Sequence, residues 1–211
     1  MYQSLSRDTL PDAVNRLCAM DSLMCTLVET HGSPPLWQKT QSFETLVHII
    51  LEQKVSLASA MAVMLRVRKL CPQMTAEAFL LVSETELREA GVSGRKVTYL
   101  QSIATAITSE YLNLRSLRSC SNEDVLELLT SIRGIGPWTA GVYLLMAIRR
   151  EDAWASGDRA LVVSYAESCA LANVPTYREF DGIAERWQPL RGVAARVLWH
   201  AYLNRRKKRI Q

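Results

Sequence analysis

Apolar residues in this chain recur with the period of an α-helix from end to end, and the apolar/polar alternation that marks a half-buried strand is almost absent. That pattern predicts an all-α fold, with any chemistry carried on helices and the turns between them. The run from about Arg95 puts Val97, Leu100, Ala104, Ile107 and Tyr111 on one face. Helix starts are marked too: Ser83 and Glu86 form a capping box opening a short helix that Gly91 closes, and Thr176 and Glu179 form another before Tyr177. Further helices are expected near residues 11–30, 42–53, 56–70, 122–133, 137–149, 159–172 and 189–204, with Ser42, Ser56 and Asn122 as N-caps. The total is about ten helices. Thr30 to Lys39, with Pro34-Pro35, reads as a linker because consecutive prolines disfavour helix.

A chain of 211 residues with 48% hydrophobic content can bury a sizeable core. Apolar stretches such as Val142 to Ile148 fall far short of the roughly 20 residues that span a bilayer. No charged-then-apolar secretion signal opens the sequence, so an intracellular protein is expected, in cytoplasm, nucleoid or nucleus, with no membrane partner. The five cysteines, Cys18, Cys25, Cys71, Cys120 and Cys169, are odd in number and show no metal-ligand or iron–sulfur spacing, so reduced thiols and no cluster are expected. A net charge of +4 permits nucleic-acid binding without establishing it. The tail Arg205-Arg206-Lys207-Lys208-Arg209 either meets phosphates, serves as a targeting signal or is a solvated end. His48 and His200 stand alone on helices and read as core or surface residues rather than metal ligands.

The most informative segment is Asn122 to Ile148, a helix, a tight turn and a second helix. Val125, Leu128, Leu129 and Ile132 form one apolar stripe, and the turn is Gly134-Ile135-Gly136. Two glycines let the backbone take left-handed or crowded conformations while Ile135 points inward, and Pro137 suits the first helical position. The outcome is either an ordinary helical hairpin or a helix N-terminus bared toward a phosphate, with Thr139 in its first turn. Asp158, after Ala155-Ser156-Gly157, is likewise either an N-cap for the helix near Arg159 or a working carboxylate.

The segment LLTSIRGIGPWTAGVYLLMAIRREDAWASGDRALV resembles the helix-hairpin-helix (HhH-GPD) DNA glycosylases, and within them the 3-methyladenine DNA glycosylase II group. The resemblance extends through FETLVHIILEQKVSLASA, GVSGRKVTYLQSIA and ERWQPLRGVAARVLWHAY, four blocks in order across residues 42–204. It implies a two-lobed helical body with a DNA cleft between the lobes. One lobe would be residues 42–150, with the hairpin at about 122–149, and the other residues 1–41 with 151–211. The extra N-terminal sheet domain of larger bacterial members has no counterpart in the pattern of this chain.

What the resemblance implies for function is a hydrolase of base excision repair acting on alkylated purines in duplex DNA, as a monomer and with no required cofactor. Asp158 falls where these enzymes hold their essential aspartate, and Trp138 and Trp199 fall on aromatic positions of the base pocket, although each could be a core tryptophan. A further pocket aromatic falls on Val142, with Tyr143 next to it, which leaves the substrate range open. Members that also cut the strand carry a Schiff-base lysine two residues after the second glycine of the hairpin; here that position is Trp138, so no lyase activity is expected. Lys54 occupies the position of the side chain that plugs the base stack, with Gln53 beside it for the orphaned base, or both are solvated loop residues. Arg95 and Lys96 either face phosphates or solvent. Backbone carbonyls of Thr130, Ile132 and Ile135 match the family's site for a monovalent cation such as Na+ or K+. The competing readings are a hairpin module that binds DNA without catalysis, and a glycosylase for other damaged or mismatched bases.

Overall fold

The computed structural model describes residues 4–208, which form twelve α-helices and, among those residues, no strand beyond an isolated bridge between Ser4 and Arg150. The all-α expectation holds, with two more helices than expected. No helix among the described residues is long and apolar enough to cross a membrane.

Two compact units divide the chain: residues 39–143 form one, and the other takes the described residues up to Gln38 and from Leu144 onward. Leu144 to Arg150 therefore belong with the terminal segments and not with the hairpin.

In the terminal unit the segment expected as one helix is two, α1 (Leu10–Met20) and α2 (Ser22–His31). Asp21 breaks it: its backbone is extended and its Oδ1 accepts from Met24 N at 3.1 Å, capping α2.

In residues 39–143, helix α3 (Phe43–Glu52) is the central rod, burying Phe43, Leu46, Val47, Ile49, Ile50 and Leu51. It packs on α4 (Leu57–Leu70), on α7 (Gly94–Thr108) and on α9 (Pro137–Tyr143). Ser42 and Ser56 cap α3 and α4 as the sequence predicts. Two short helices, α5 (Ala76–Leu80) and α6 (Glu84–Glu89), fill the interval; α6 opens on the Ser83–Glu86 capping box, and α5 was not foreseen because a single turn carries too little periodic signal. Helix α7 ends at Thr108, so Tyr111 lies beyond it, 58% exposed, rather than on its apolar face.

Helix α8 (Asn122–Thr130) begins at the residue expected as its cap. Ser121, not Asn122, takes the capping position, because it can pair reciprocally with Asp124: Asp124 N donates to Ser121 Oγ at 2.9 Å and Ser121 N donates back to Asp124 Oδ2 at 3.2 Å.

After α9 the chain widens into a π-helical turn at Leu144–Ile148 and leaves it at Arg149 with φ 65°. In the terminal unit α10 (Arg159–Ser168), α11 (Tyr177–Ala184) and α12 (Arg191–Lys208) follow, α11 opening on the expected Thr176–Glu179 box. The first half of α12 is buried on every side from Gly192 to Trp199, packed by α10, α2 and α1. Arg196, on that buried stretch, donates to the carbonyls of Leu36, Gly192 and Leu145, so its charge is spread over backbone dipoles, and burial pushes it down to about 10. The tail is partly engaged: Arg205 and Arg206 both pair with Glu167 of α10, whereas Arg209 lies outside the described residues. None of the five cysteines is bridged. His48 lies between Lys39 and Glu52, and His200 contacts the His31 carbonyl.

Candidate active site

Asp158 ends the loop Ala153 to Gly157 and starts α10, so its side chain sits at the positive end of a ten-residue helix. Its Oδ1 accepts from Leu161 N at 2.9 Å, the N-cap bond, and from the Trp199 indole Nε1 of α12 at 3.2 Å. Only 9% of the residue is exposed. The cap and the working carboxylate are therefore not alternatives. Capping fixes the rotamer, and the indole N–H is a second donor to the same oxygen. Trp199 is 9% exposed as well, and its N–H is committed to the carboxylate.

Sequence reasoning missed a neighbour. The ring of Trp37 meets Trp199 edge-on, with centroids 6.4 Å apart, and Trp37 has φ 45°, a left-handed backbone that a bulky residue rarely adopts. The signal was an aromatic two residues after Pro34-Pro35 in a segment read only as linker.

In the other unit the hairpin is built as its glycines suggest. Ile132 and Ile135 are buried, and Ile135 N donates to Ile132 O at 3.1 Å to close the turn. Gly134 has φ 98°, and a Cβ there would lie 2.3 Å from the Tyr99 ring of α7. Gly136 faces open space, with nothing within 4 Å of an added Cβ. One glycine is thus demanded by packing beneath the turn, and the other leaves the outer backbone bare where α9 begins.

The residues around the hairpin sort differently from the expectation. Gln53 does not project from its loop: its Nε2 donates to Gly134 O at 3.1 Å and to Thr139 Oγ1 at 2.9 Å. Thr139 is 1% exposed, so its hydroxyl belongs to this interior bond and not to a DNA surface. Lys96 turns inward too, donating from Nζ to Leu51 O at 2.7 Å and to Gln53 O at 3.0 Å, and burial holds its ammonium below the usual lysine range. It caps the carbonyl end of α3, where a cation is favoured. Lys54 and Arg95 are exposed, Lys54 with φ 57°.

Trp138 is half-buried in the first turn of α9, whereas Val142 and Tyr143 are buried in the packed interior rather than on an open face. The Tyr143 hydroxyl has no hydrogen-bond partner among the described residues, and burial pushes its pKa well above the usual phenol range, the Arg118 charge offsetting this in part. Among the described residues no group of three or more His, Cys, Asp or Glu could hold a metal. The Thr130, Ile132 and Ile135 carbonyls are a different donor set, neutral hard oxygens within six residues of one turn, which suits a monovalent cation. One lone pair of the Ile132 oxygen is already taken by Ile135 N.

Residues 47–197 match the family described as HhH-GPD superfamily base excision DNA repair protein. The chain is 28% identical over 166 residues to DNA-3-methyladenine glycosylase 1 of Schizosaccharomyces pombe, covering 77% of this chain and 73% of that protein. The solved structure of the 3-methyladenine DNA glycosylase of that yeast, in complex with abasic DNA, superposes with a TM-score of 0.82 at 27% identity, over 89% of this chain and 95% of the other. A DNA-3-methyladenine glycosidase from Bacillus halodurans gives a TM-score of 0.79 at 29% identity, over 99% and 95%. With residues 47–197, most of its length, inside the family match, the chain belongs to the HhH-GPD superfamily of base excision DNA repair proteins.

Proposed function

We propose that the protein is a monofunctional DNA glycosylase that hydrolyses the N-glycosidic bond of alkylated purines of the 3-methyladenine type in duplex DNA. The observation that carries this is the Asp158 carboxylate, nine-tenths buried, capping α10 and held by Trp199 Nε1. A base inside a duplex cannot be reached, so the nucleotide is first rotated out of the stack. As the bond to the base lengthens, positive charge develops on the deoxyribose. An ionised carboxylate fixed in a water-poor site stabilises that charge without reorganising, and it also orients the attacking water. An alkylated purine carries its own positive charge and departs neutral, so the reaction asks for no strong general acid.

Trp138, at the position of the lyase lysine, offers a ring to a cationic base and no amine for a Schiff base, so the product is an abasic site. The bare backbone at Gly136 and the start of α9 approach a phosphate, positioning the strand without reading it. Lys54 fills the gap in the stack, and Arg95 adds a phosphate contact; both side chains are exposed. The carbonyls of Thr130, Ile132 and Ile135 would hold a monovalent cation whose charge strengthens the hairpin's hold on phosphate. The partner is duplex DNA with a damaged base, and the enzyme works as a monomer inside the cell.

The test incubates wild type with duplexes carrying 3-methyladenine, 7-methylguanine, hypoxanthine, ethenoadenine or 8-oxoguanine and measures free base by chromatography, with borohydride trapping in parallel. Release of methylated purines with no trapped adduct is expected. DNA binding with no base released from any duplex would instead leave a non-catalytic hairpin module.

A further inference from the structure

We infer that Asp181 is a positioning residue for the Asp158 carboxylate, acting through the loop that it clamps; the inference rests on Asp158 being the reacting group. Asp181 lies within α11 and accepts two bonds from that loop, one on each oxygen. Trp154 Nε1 donates to Oδ1 at 2.8 Å and Ser156 Oγ donates to Oδ2 at 2.6 Å. The second is in the short range of charge-assisted O–H···O⁻ bonds. The Trp154 ring is fixed on its other sides, 5.3 Å from Phe180, the neighbour of Asp181 on α11, and 5.9 Å from Trp187.

The clamp sits where the loop has least intrinsic order. Gly157 follows Ser156 with φ 81° and with nothing within 4 Å of an added Cβ, so neither a side chain nor packing restrains it. Upstream, Asp152 is pinned to the start of α12 by Arg191, whose N, Nε and Nη2 all donate to it at 3.1, 2.9 and 2.8 Å. The loop is therefore tied to α12 at its beginning and to α11 in its middle, and Asp158 comes two residues after the last tie. Trp199, the indole donor to Asp158, is also on α12. Releasing Asp181 lets the carboxylate drift relative to that donor while α10, α11 and α12 stay folded. A displacement of about 1 Å at a reacting group costs on the order of 100-fold in rate.

The test compares Asp181→Ala, Asp181→Asn and Trp154→Phe with wild type in three readouts: single-turnover base release from a dimethyl-sulfate-methylated duplex, affinity for a duplex with a tetrahydrofuran abasic analogue, and amide hydrogen exchange over residues 155–161. In Asp181→Ala the rate is expected to fall by about 10- to 100-fold while affinity stays within about twofold. Asn keeps one acceptor for Trp154 and can donate to a rotated Ser156 hydroxyl, so it retains the rate to within about threefold. Trp154→Phe keeps the ring, deletes one donor and loses about three- to tenfold. Exchange over 155–161 accelerates in Asp181→Ala and in Trp154→Phe. Should Asp181→Ala unfold, Trp154→Phe decides in its place. Wild-type rate and wild-type exchange in the variants overturn the clamp. If wild type releases no base, the functional proposal fails, and the exchange readout still decides whether Asp181 holds the loop.

Discussion

Trp199 Nε1 donates to the same oxygen of Asp158 that the α10 backbone caps, at 3.2 Å beside 2.9 Å from Leu161 N. Two donors on one oxygen fix the carboxylate plane. Replacing Trp199 by Phe keeps a ring but deletes the N–H. Because hydrogen bonds to charged groups are worth about 1.5–3 kcal/mol, single-turnover base release is expected to fall about tenfold or more. Affinity for abasic-analogue DNA should be unchanged, which a fluorescence-anisotropy titration checks alongside the rate.

The two hairpin glycines separate folding from binding. Gly134→Ala combines a positive φ with a contact of 2.3 Å to Tyr99 and is expected to cost about 2–4 kcal/mol in urea denaturation. Gly136→Ala meets nothing within 4 Å and should alter stability by less than about 1 kcal/mol. On the proposed function it puts a methyl where the backbone approaches a phosphate, so affinity for duplex DNA should weaken by about fivefold or more.

Lys96 and Arg95 are neighbours that face opposite ways, Lys96 inward onto the α3 carbonyls and Arg95 to solvent, where the proposed function gives it a phosphate. Lys96→Met leaves the Leu51 and Gln53 carbonyls without their ammonium donor and is expected to destabilise by about 1–2 kcal/mol while leaving the salt dependence of DNA binding intact. Arg95→Gln should do the reverse, preserving stability and lowering the slope of log affinity against log salt by about 1. Titrations at several salt concentrations distinguish them.

Tyr143 gives a pH signature. In the unfolded chain its phenol ionises near the ordinary value of 10.0, whereas burial keeps the folded phenol protonated above it. Above that pH the native state holds a proton that the unfolded state has lost, so stability falls as pH rises. Tyr143→Phe removes this loss, and since the hydroxyl has no partner among the described residues, it should be neutral to slightly stabilising at pH 7. Urea denaturation at neutral pH and above the phenol value measures both effects.

Much of this was legible in the sequence where the determinants are local. Helical period, the Ser83 and Thr176 capping boxes and the Gly134-Ile135-Gly136 turn all lie within a few residues of what they specify. The inward turn of Gln53 and Lys96 was not legible, because their bonds join residues 81 and 43 positions apart and leave no periodic trace. Sequence could not separate a solvated lysine from one that caps a distant helix, nor a pocket tyrosine from the buried Tyr143. The break at Asp21 was hidden for a similar reason. A capping aspartate inside an apolar run looks like a tolerated polar position until its distant partners, Trp187 Nε1 at 2.9 Å and Arg186 Nε at 3.1 Å, are placed.

The charge of Asp158 is the pivot, and Asp158→Asn isolates it, since asparagine caps helices about as well as aspartate and should leave stability within about 0.5 kcal/mol. Single-turnover release of 3-methyladenine and 7-methylguanine from methylated duplex is expected to drop by about 100- to 1000-fold, with binding of the abasic-analogue duplex retained. Release at the wild-type rate by a folded, DNA-binding Asp158→Asn protein would contradict the account.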